Sequence, residues 1–483
     1  MCGLSSILPV KSIAESDVRV DAAFLAALND MAEKMESRTG AGLSAAGGSP
    51  AAGHLGGQDL LEDLWTRVRA MKRDRQFHDI HSHPEIQADL QAFSGRVSGL
   101  VASESRWLTD HVGRLSPGDV ETMMSHIDQL RDMAWSIDKE ILRNLRKIDA
   151  LAGRNGDADG SAPLSSASFR LYKNINAVFN NIDRLEVRGR DSAGISLLFV
   201  LDGPEFDRFH KLAADDGGSA DLADRQGETV LVNRCIRIHR LNPDGEGGPD
   251  RVAVCIVYKV AAEVGSLGDN VAVLREQAAS DALLRTLSGI PHVHRNMSSH
   301  TRWASVGAIS EPNCHPVDNR IIAPDLDGTV QDAPIIHVCL NGDIDNYMDL
   351  KREVERKGDR IPDEITTDTK IIPLQVERYV KQGFGIKDAF RLALNDFEGS
   401  HAIAMQTDLA PGKLFLGQRG SGQAIFVGLG DDHYTVASEV YGFVEDTPVY
   451  LKLDGEKIVD GKSGPVQGQI FILDGDSDRK SVV

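Results

Sequence analysis

Apolar residues recur at spacings of three and four through residues 120–148. The positions that carry this stripe are Val120, Met124, Ile127, Leu130, Ala134, Ile137, Ile141, Leu145 and Ile148. Such a period places one apolar face along a helix, and the turn-forming residues 116–119 (SPGD) mark its start. Residues 38–58 and 152–167 are rich in Gly, Ala and Ser and have no period. We therefore expect a helical array between two loops.

Outside this array the hydrophobic pattern predicts short strands grouped with helices. Gly3 to Val10 and Gly194 to Leu201 are apolar runs of the length of buried strands, and Leu171 to Leu185 has a helical period. From Ile321 onward, short strands and helices alternate to the end of the sequence. Elements grouped in this way indicate layered sheets with helices on the outside.

The sequence of 483 residues is long enough for more than one hydrophobic core. We predict that residues 1–19 and 168–483 form one domain, and that residues 20–167 are a helical insertion with loops on either side. A partner-binding arm is the alternative interpretation of this insertion.

The composition of the sequence limits the partners that the protein can bind and the cellular compartment that we expect for it. The 53 Lys and Arg residues stand against 72 Asp and Glu, a net charge of −19, which argues against nucleic acid or an anionic membrane as the partner. No apolar run approaches the roughly 18 residues that span a bilayer, and the N-terminus lacks the features of a signal peptide. The five cysteines are odd in number and form no CxxC pair, so we expect reduced thiols in the cytoplasm.

Cys2 stands directly behind the initiator Met1. Removal of Met1 would expose an α-amine whose ordinary pKa is about 8. That amine can accept the proton of the thiol on the same residue, so Cys2 would supply both nucleophile and base. A cysteine at this position is usually incidental, so the rest of the sequence has to show whether Cys2 is catalytic.

Beyond Cys2-Gly3, six segments combine glycines with charged and amide side chains. They are residues 184–194 (RLEVRGRDSAG), 300–307 (HTRWASVG), 341–347 (NGDIDNY), 367–369 (TDT), 397–402 (FEGSHA) and 418–421 (QRGS). In this order they resemble the glutaminase half of the glutamine–fructose-6-phosphate aminotransferases, which are class II amidotransferases with an N-terminal nucleophile. The resemblance does not extend to residues 20–167.

The resemblance implies an α+β fold, the four-layer αββα sandwich of N-terminal-nucleophile hydrolases, here with a large helical insertion. It also implies hydrolysis of glutamine to glutamate and ammonia through a γ-glutamyl thioester on Cys2. No metal and no organic cofactor is expected for this chemistry.

The resemblance assigns the residues of a glutamine site as well. Asn341 and the backbone N–H of Gly342 match the donors that stabilise the oxyanion, with a tight hairpin turn as the alternative role of this dipeptide. Arg302 matches the bidentate clamp for the α-carboxylate, and Asp368 matches the acceptor for the α-ammonium. Without the resemblance, Arg302 would be a surface stacking residue and Asp368 the N-cap of a helix over Thr369–Lys381.

Two further matches each have a structural alternative. Arg188, with Asp191, falls where the family orders the loop around the nucleophile, and an internal ion pair is the alternative. Trp303 matches the residue that gates the passage of ammonia from the glutamine site, and core packing is the alternative. Ser305-Val306 stands where the family has Thr-His, which removes an imidazole near the substrate.

Family members continue into sugar-phosphate isomerase domains that use the ammonia, and no segment here resembles those domains. We expect glutamine as substrate, an isomerase domain or subunit as ammonia acceptor, amino-sugar phosphate synthesis as the overall reaction, and a homo-oligomer. One alternative is an amidotransferase with a different acceptor. The other is a non-catalytic glutamine-sensing or partner-binding module, which retention of Met1 would favour because a blocked amine cannot act as the base.

Overall fold

The computed structural model describes residues 2–10, 18–45, 51, 53–154, 162–215, 217–242, 248–261, 267–321, 333–458, 465–476 and 479–482. The chain divides into two units. Met1–Ile13, Leu151–Gly153 and Leu171–Val483 form the sandwich unit, and Ala14–Ala150 with Arg154–Arg170 form the helical unit. None of the helices in these described ranges is long and apolar enough to cross a membrane.

Closely spaced helices make up the helical unit. They are α1 (Ala22–Glu36), α2 (Gly40–Ala45), α3 (Gln58–Ala70), α4 (Asp74–Ser82), α5 (Pro84–His111), α6 (Pro117–Trp135), a π-helical segment (Ser136–Leu142) and α7 (Arg143–Leu151). Asp21 caps α1 by accepting a hydrogen bond from the backbone N–H of Phe24 (3.0 Å). Ser116 caps α6 in the same way, and Pro117 occupies the first turn. Helix α2 lies in a segment predicted to be a loop.

The apolar stripe predicted over residues 120–148 is buried from Ile127 onward, whereas Met124 is exposed. The helix is not uniform along this stripe, because the π-helical segment separates α6 from α7. Glu140 is buried within that segment and accepts hydrogen bonds from the Ser136 hydroxyl and the Lys72 ammonium. A buried carboxylate with these partners is compensated within the unit.

The sandwich unit is built on antiparallel strands. In chain order these are β1 (Gly3–Pro9), β2 (Ser192–Asp202), β3 (Ile236–Leu241), β4 (Arg251–Ala261), β5 (His294–Arg302), β6 (Val317–Asp318), β7 (Ile336–Gly342), β8 (His401–Thr407), β9 (Lys413–Arg419), β10 (Phe426–Leu429), β11 (His433–Ala437), β12 (Tyr450–Lys452), β13 (Glu456–Ile458), β14 (Pro465–Gln467), β15 (Gln469–Asp474) and β16 (Arg479–Val482). The first sheet has the order β12-β10-β11-β1-β5-β2-β4-β3, and the second has the order β16-β15-β9-β8-β7-β6. Strands β13 and β14 pair with each other.

Helices flank both sheets. They are α8 (Ser166–Leu185), α9 (Gly203–Asp215), α10 (Ser219–Gly227), α11 (Asp269–Ser280), α12 (Ala282–Ser288), α13 (Tyr347–Arg356), α14 (Ile371–Lys381) and α15 (Ile386–Asp396). On the first sheet, Asn181 of α8 hydrogen bonds with Thr435 of β11 (3.0 Å), and α11 packs on β2 and β4. On the second sheet, α14 packs on β6 and β7.

Alternating positions of the central strands divide the core into layers. Leu4 and Leu8 of β1 pack between the sheets against Ala402 and Ala404 of β8. The opposite face of the second sheet packs its apolar residues, among them Ile403 of β8, against α14 and α15. The result is a helix–sheet–sheet–helix sandwich, which confirms the predicted α+β class and its four layers.

Strand β5 was not predicted as a strand, because its sequence is almost entirely polar. It lies between β1 and β2 in the first sheet, and several of its polar side chains have hydrogen-bond partners inside the protein. The Ser298 hydroxyl hydrogen bonds with that of Ser6 (2.8 Å), and Ser299 donates to the Gly194 carbonyl (2.7 Å). Buried polar groups that find such partners escape most of the cost of desolvation.

Candidate functional site

The first sheet brings Cys2 beside the end of β5. Strand β1 begins directly after Cys2, β5 ends at Arg302, and the antiparallel register pairs Gly3 with Thr301. The backbone N–H of Trp303 consequently lies 3.3 Å from the Cys2 Sγ atom. Glycine is required at position 3, because a Cβ there would lie 2.5 Å from the Thr301 Oγ1 atom.

The second sheet supplies Asn341 at the end of β7. Its Nδ2 atom donates to the Cys2 carbonyl (3.1 Å), and its Oδ1 atom is 2.9 Å from the His300 Nε2 atom. Because an amide oxygen can only accept, we assign the proton to His300 Nε2. Burial lowers the pKa of His300 to about 3, so the ring is neutral at physiological pH. His300 therefore orients the Asn341 amide toward Cys2.

Gly342 has a backbone conformation that other residues rarely adopt, with φ +93°. A Cβ at this position would lie 2.0 Å from the Ser400 carbonyl oxygen. The close approach of β7 to the segment preceding β8 therefore leaves room for glycine alone. This fixes the backbone that follows Asn341.

Arg302 and Asp368 are both buried, and they lie in the same part of the unit. The Arg302 guanidinium donates to the carbonyls of Val306 and Ala308, the latter at 3.0 Å, and burial lowers its pKa. The Asp368 carboxylate accepts the backbone N–H of Ile344 (2.8 Å), and burial raises its pKa. Neither alternative role applies: Arg302 is not a surface residue, and Asp368 does not cap α14.

The Cys2 thiol is half-buried. Burial raises its pKa, the Trp303 backbone N–H and the Arg302 charge lower it, and the Asp343 carboxylate raises it again. Asp343 itself accepts a hydrogen bond from the Ser305 hydroxyl (2.7 Å). The thiolate is thus disfavoured, so a nucleophilic Cys2 needs a base close to its thiol.

Arg188 forms an ion pair with Glu439, which was the structural alternative considered for it. Asp191, three residues on, accepts the backbone N–H of Ala304 (2.8 Å) and so connects this segment to the loop after β5. The Trp303 side chain is 57% exposed, which is incompatible with core packing.

The remaining cysteines do not extend the site. Cys235, Cys255, Cys314 and Cys339 are buried and free of disulfides. Among the residues that the structure describes, no group of His, Cys, Asp and Glu side chains is arranged to hold a metal ion.

His300 and Asp343 stand in the quoted motifs, but the sequence assigned neither of them a role. A strand assignment for residues 294–302 would have put His300 and Arg302 on the same face of β5, since side chains alternate. For Asp343 the signal was its position directly after Gly342. Its pairing with Ser305 joins two segments that are distant in sequence.

No family model matches the chain. Its curated relatives include the glutamine–fructose-6-phosphate aminotransferases [isomerizing] of Methanothermobacter thermautotrophicus (31% identical over 178 residues, 37% of this chain and 25% of the relative) and Chlorobaculum tepidum (34% over 165 residues, 33% and 24%). That of Bacillus subtilis is 29% identical over 216 residues, 44% of this chain and 31% of the relative. The matched part is therefore about a quarter to a third of each relative.

Among solved structures, the chain overlaps with one described as the allosteric regulatory enzyme of purine biosynthesis (17% identity, TM-score 0.37, 64% of this chain and 45% of that chain). It also overlaps with the glutamine phosphoribosylpyrophosphate amidotransferase of B. subtilis complexed with ADP and GMP (16%, TM-score 0.34, 60% and 48%). The fold assignment rests on the sheets described above, not on these overlaps.

The curated relatives confirm the resemblance to class II glutamine amidotransferases that the motifs indicated. Within that class, the chain is similar to glutamine–fructose-6-phosphate aminotransferases.

Proposed function

We propose that this chain is the glutamine-hydrolysing part of an amidotransferase, with Cys2 as its nucleophile after removal of Met1. The reaction releases glutamate and ammonia through a γ-glutamyl thioester. The observation that carries the proposal is the convergence at Cys2 of two strand ends from different sheets. Trp303 follows β5 of the first sheet, Asn341 lies at the end of β7 of the second, and both contact Cys2.

In the first half-reaction, the α-amine of Cys2 takes the thiol proton and the thiolate attacks the amide carbon of glutamine. Negative charge develops on the amide oxygen. The Asn341 side chain and the Gly342 backbone N–H are the donors that we assign to that oxyanion, and one such donor is typically worth about 10²–10³ in rate. The C–N bond then breaks and ammonia leaves with a proton from the amine.

In the second half-reaction, water attacks the thioester and the same amine accepts a proton from it. The tetrahedral oxyanion forms again and uses the same donors. Collapse of the intermediate breaks the C–S bond, releases glutamate and returns the proton to the Cys2 sulfur. The chain's own residues suffice for both half-reactions.

Arg302 and Asp368 are assigned to the two charged ends of glutamine. A guanidinium can bind the α-carboxylate through two parallel hydrogen bonds, and a carboxylate can accept from the α-ammonium. Burial of both side chains supports this assignment, because charged groups in low dielectric interact strongly with a ligand of opposite charge.

We extend the proposal to the use of the ammonia. The relatives are named for aminotransfer to fructose 6-phosphate, so a sugar-phosphate isomerase domain or subunit is the acceptor that we propose, and amino-sugar phosphate the product. The exposed Trp303 side chain beside Cys2 is then the residue that the ammonia passes.

Intact-mass measurement tests the proposal directly. The purified chain should lack Met1 and should gain one adduct when incubated with a diazoketone analogue of glutamine. The adduct should be absent from Cys2→Ala, and the untreated chain should release ammonia from glutamine. A chain that retains Met1 and takes up no adduct would contradict the hydrolase and would favour the sensing or partner-binding role.

A further inference from the structure

Asp343 is a charged residue in the candidate site to which the proposed mechanism gives no role. It directly follows Gly342, and its backbone N–H donates to the Ser400 carbonyl at 3.3 Å. The half-buried side chain is held by the Ser305 hydroxyl, which donates to Oδ1 at 2.7 Å. The loop after β5 and the end of β7 therefore fix this carboxylate together.

Asp343 lies two residues after Asn341, and its partner Ser305 lies two residues after Trp303; both Asn341 and Trp303 contact Cys2. Burial raises the pKa of the Cys2 thiol and of the Asp368 carboxyl, and the Asp343 charge raises both further. Asp368 accepts the backbone N–H of Ile344, the residue next to Asp343. Two further charged residues, Arg302 and Asp191, hydrogen bond to the loop after β5, at the Ala308 carbonyl and the Ala304 backbone N–H.

We propose that Asp343 makes the site select glutamine over glutamate. The inference rests on the proposed glutamine site, and it concerns the γ end of the ligand. Glutamine has a neutral amide there, whereas glutamate has a carboxylate that would lie beside Cys2. A fixed carboxylate close to Cys2 repels that second negative charge and does not repel the amide.

This selectivity serves a hydrolase in a specific way. Substrate and product share the α-ammonium and the α-carboxylate, so Asp368 and Arg302 bind both alike. Only a group that senses the charge at the γ position can favour release of the product over the substrate. Asp343, held by the Ser305 hydroxyl, is placed to do so.

The ratio of the two dissociation constants isolates this effect, because contributions from the shared α end cancel. We would measure it by calorimetry with glutamate and glutamine on the Cys2→Ala chain, which cannot turn over. Adding Asp343→Asn should lower the ratio of the dissociation constant for glutamate to that for glutamine roughly fivefold or more, because glutamate is no longer repelled. Asp343→Glu should keep this ratio near the parent value. An unchanged ratio in Asp343→Asn would overturn the proposal.

Asp345→Asn is the matched control, because Asp345 is an exposed aspartate two residues further on in the same segment. It removes the same charge and should leave the ratio unchanged.

A second test needs no substitution at position 343, so it does not depend on whether the Asp343 variants fold. In the Cys2→Ala chain, the ratio should fall as potassium chloride is raised, since salt screens repulsion between charges. A ratio indifferent to salt would count against Asp343.

The outcomes also separate this inference from the proposed function. Selective glutamine binding by Cys2→Ala, together with no ammonia release by the unmodified chain, would contradict hydrolysis and leave the role of Asp343 standing. If neither ligand binds the Cys2→Ala chain, the glutamine site and the role of Asp343 are both overturned.

Discussion

The Nδ2 atom of Asn341 donates a hydrogen bond to the carbonyl oxygen of Cys2 at 3.1 Å. Cys2 directly precedes β1 of the first sheet, whereas Asn341 lies in β7 of the second, and the two residues are 339 positions apart in the sequence. Because the Oδ1 atom of the same amide faces His300, the amide has one orientation, with its N–H groups toward Cys2. An oxyanion donor has to be fixed in this way before charge develops, so that no reorganisation is needed during the reaction.

Replacement of Asn341 tests this role. We expect Asn341→Ala to lower kcat for glutamine hydrolysis by about 10²–10³, since a preorganised oxyanion donor is lost, with a smaller change in KM. Ammonia release under steady-state conditions provides both constants. Alkylation of Cys2 by iodoacetamide is the control and should proceed as before, because it forms no oxyanion. Turnover equal to that of the parent chain would exclude Asn341 from this role.

Gly342 offers a test of the backbone with a matched control. Gly342 and Gly383 have nearly the same φ, +93° and +92°, but a Cβ at Gly342 meets the Ser400 carbonyl oxygen at 2.0 Å and one at Gly383 meets nothing within 4 Å. Alanine at position 383 should therefore cost only the unfavourable φ, about 1–3 kcal/mol. Alanine at position 342 should cost more, because the backbone must also move. Urea unfolding of both variants compares the two costs, and equal values would refute the close approach.

The pH dependence of glutamine binding should follow Asp368. Only the ionised carboxylate can accept from an α-ammonium, and burial raises the pKa of Asp368 above the ordinary value of 3.8. Affinity should therefore weaken as the pH falls toward that raised pKa, at a pH where an exposed aspartate would still be ionised. In Asp368→Asn the affinity should be lower throughout and should lack this acidic decline. KM measured from neutral pH down toward the ordinary aspartate pKa would show it, and identical profiles for both chains would contradict the assignment.

The sequence was sufficient to predict a helix or strand where the hydrophobic period and the local start and stop signals agreed. The predicted strand at Gly3–Val10 is β1, and the predicted helix at Leu171–Leu185 falls within α8. The strand predicted over Gly194–Leu201 is the interior of β2. In each case most apolar residues of the segment are buried, so the hydrophobic pattern predicts their burial directly.

Elements stabilised by internal polar contacts could not be predicted in this way. Strand β5 is buried yet polar, because its partners are side chains and carbonyls that only the folded sheets supply. The π-helical segment at Ser136–Leu142 leaves the three–four spacing of apolar residues intact, so its change of hydrogen bonding has no signature in the pattern. For the candidate site, motif order indicated the candidate residues, but not that His300 orients Asn341.

The stability of the sandwich unit should depend strongly on one buried ion pair and little on an exposed one. Asp281 accepts two hydrogen bonds from the Arg225 guanidinium (3.0 and 2.7 Å) and one from the Tyr258 hydroxyl (2.7 Å), and Asp281 and Arg225 are both buried. Asp281→Ala leaves the guanidinium buried without this partner, which typically costs about 3–5 kcal/mol. The pair Arg240–Asp250 has similar bidentate geometry but is exposed, so Asp250→Ala should shift the unfolding midpoint far less.

The buried pair Arg225–Asp281 also predicts the direction in which stability changes with pH. Burial acts to raise the pKa of Asp281, but the hydrogen bonds and charge of Arg225 outweigh it, so the pKa is lowered in the folded protein. A carboxyl with a depressed folded pKa contributes stability that is present above its unfolded pKa, about 3.9, and is lost as the pH falls through the folded value. The stability difference between the parent chain and Asp281→Ala should therefore persist at neutral pH and shrink below about pH 4. Urea unfolding midpoints across this range provide the measurement, and a difference that grows on acidification would contradict the assigned ion pair.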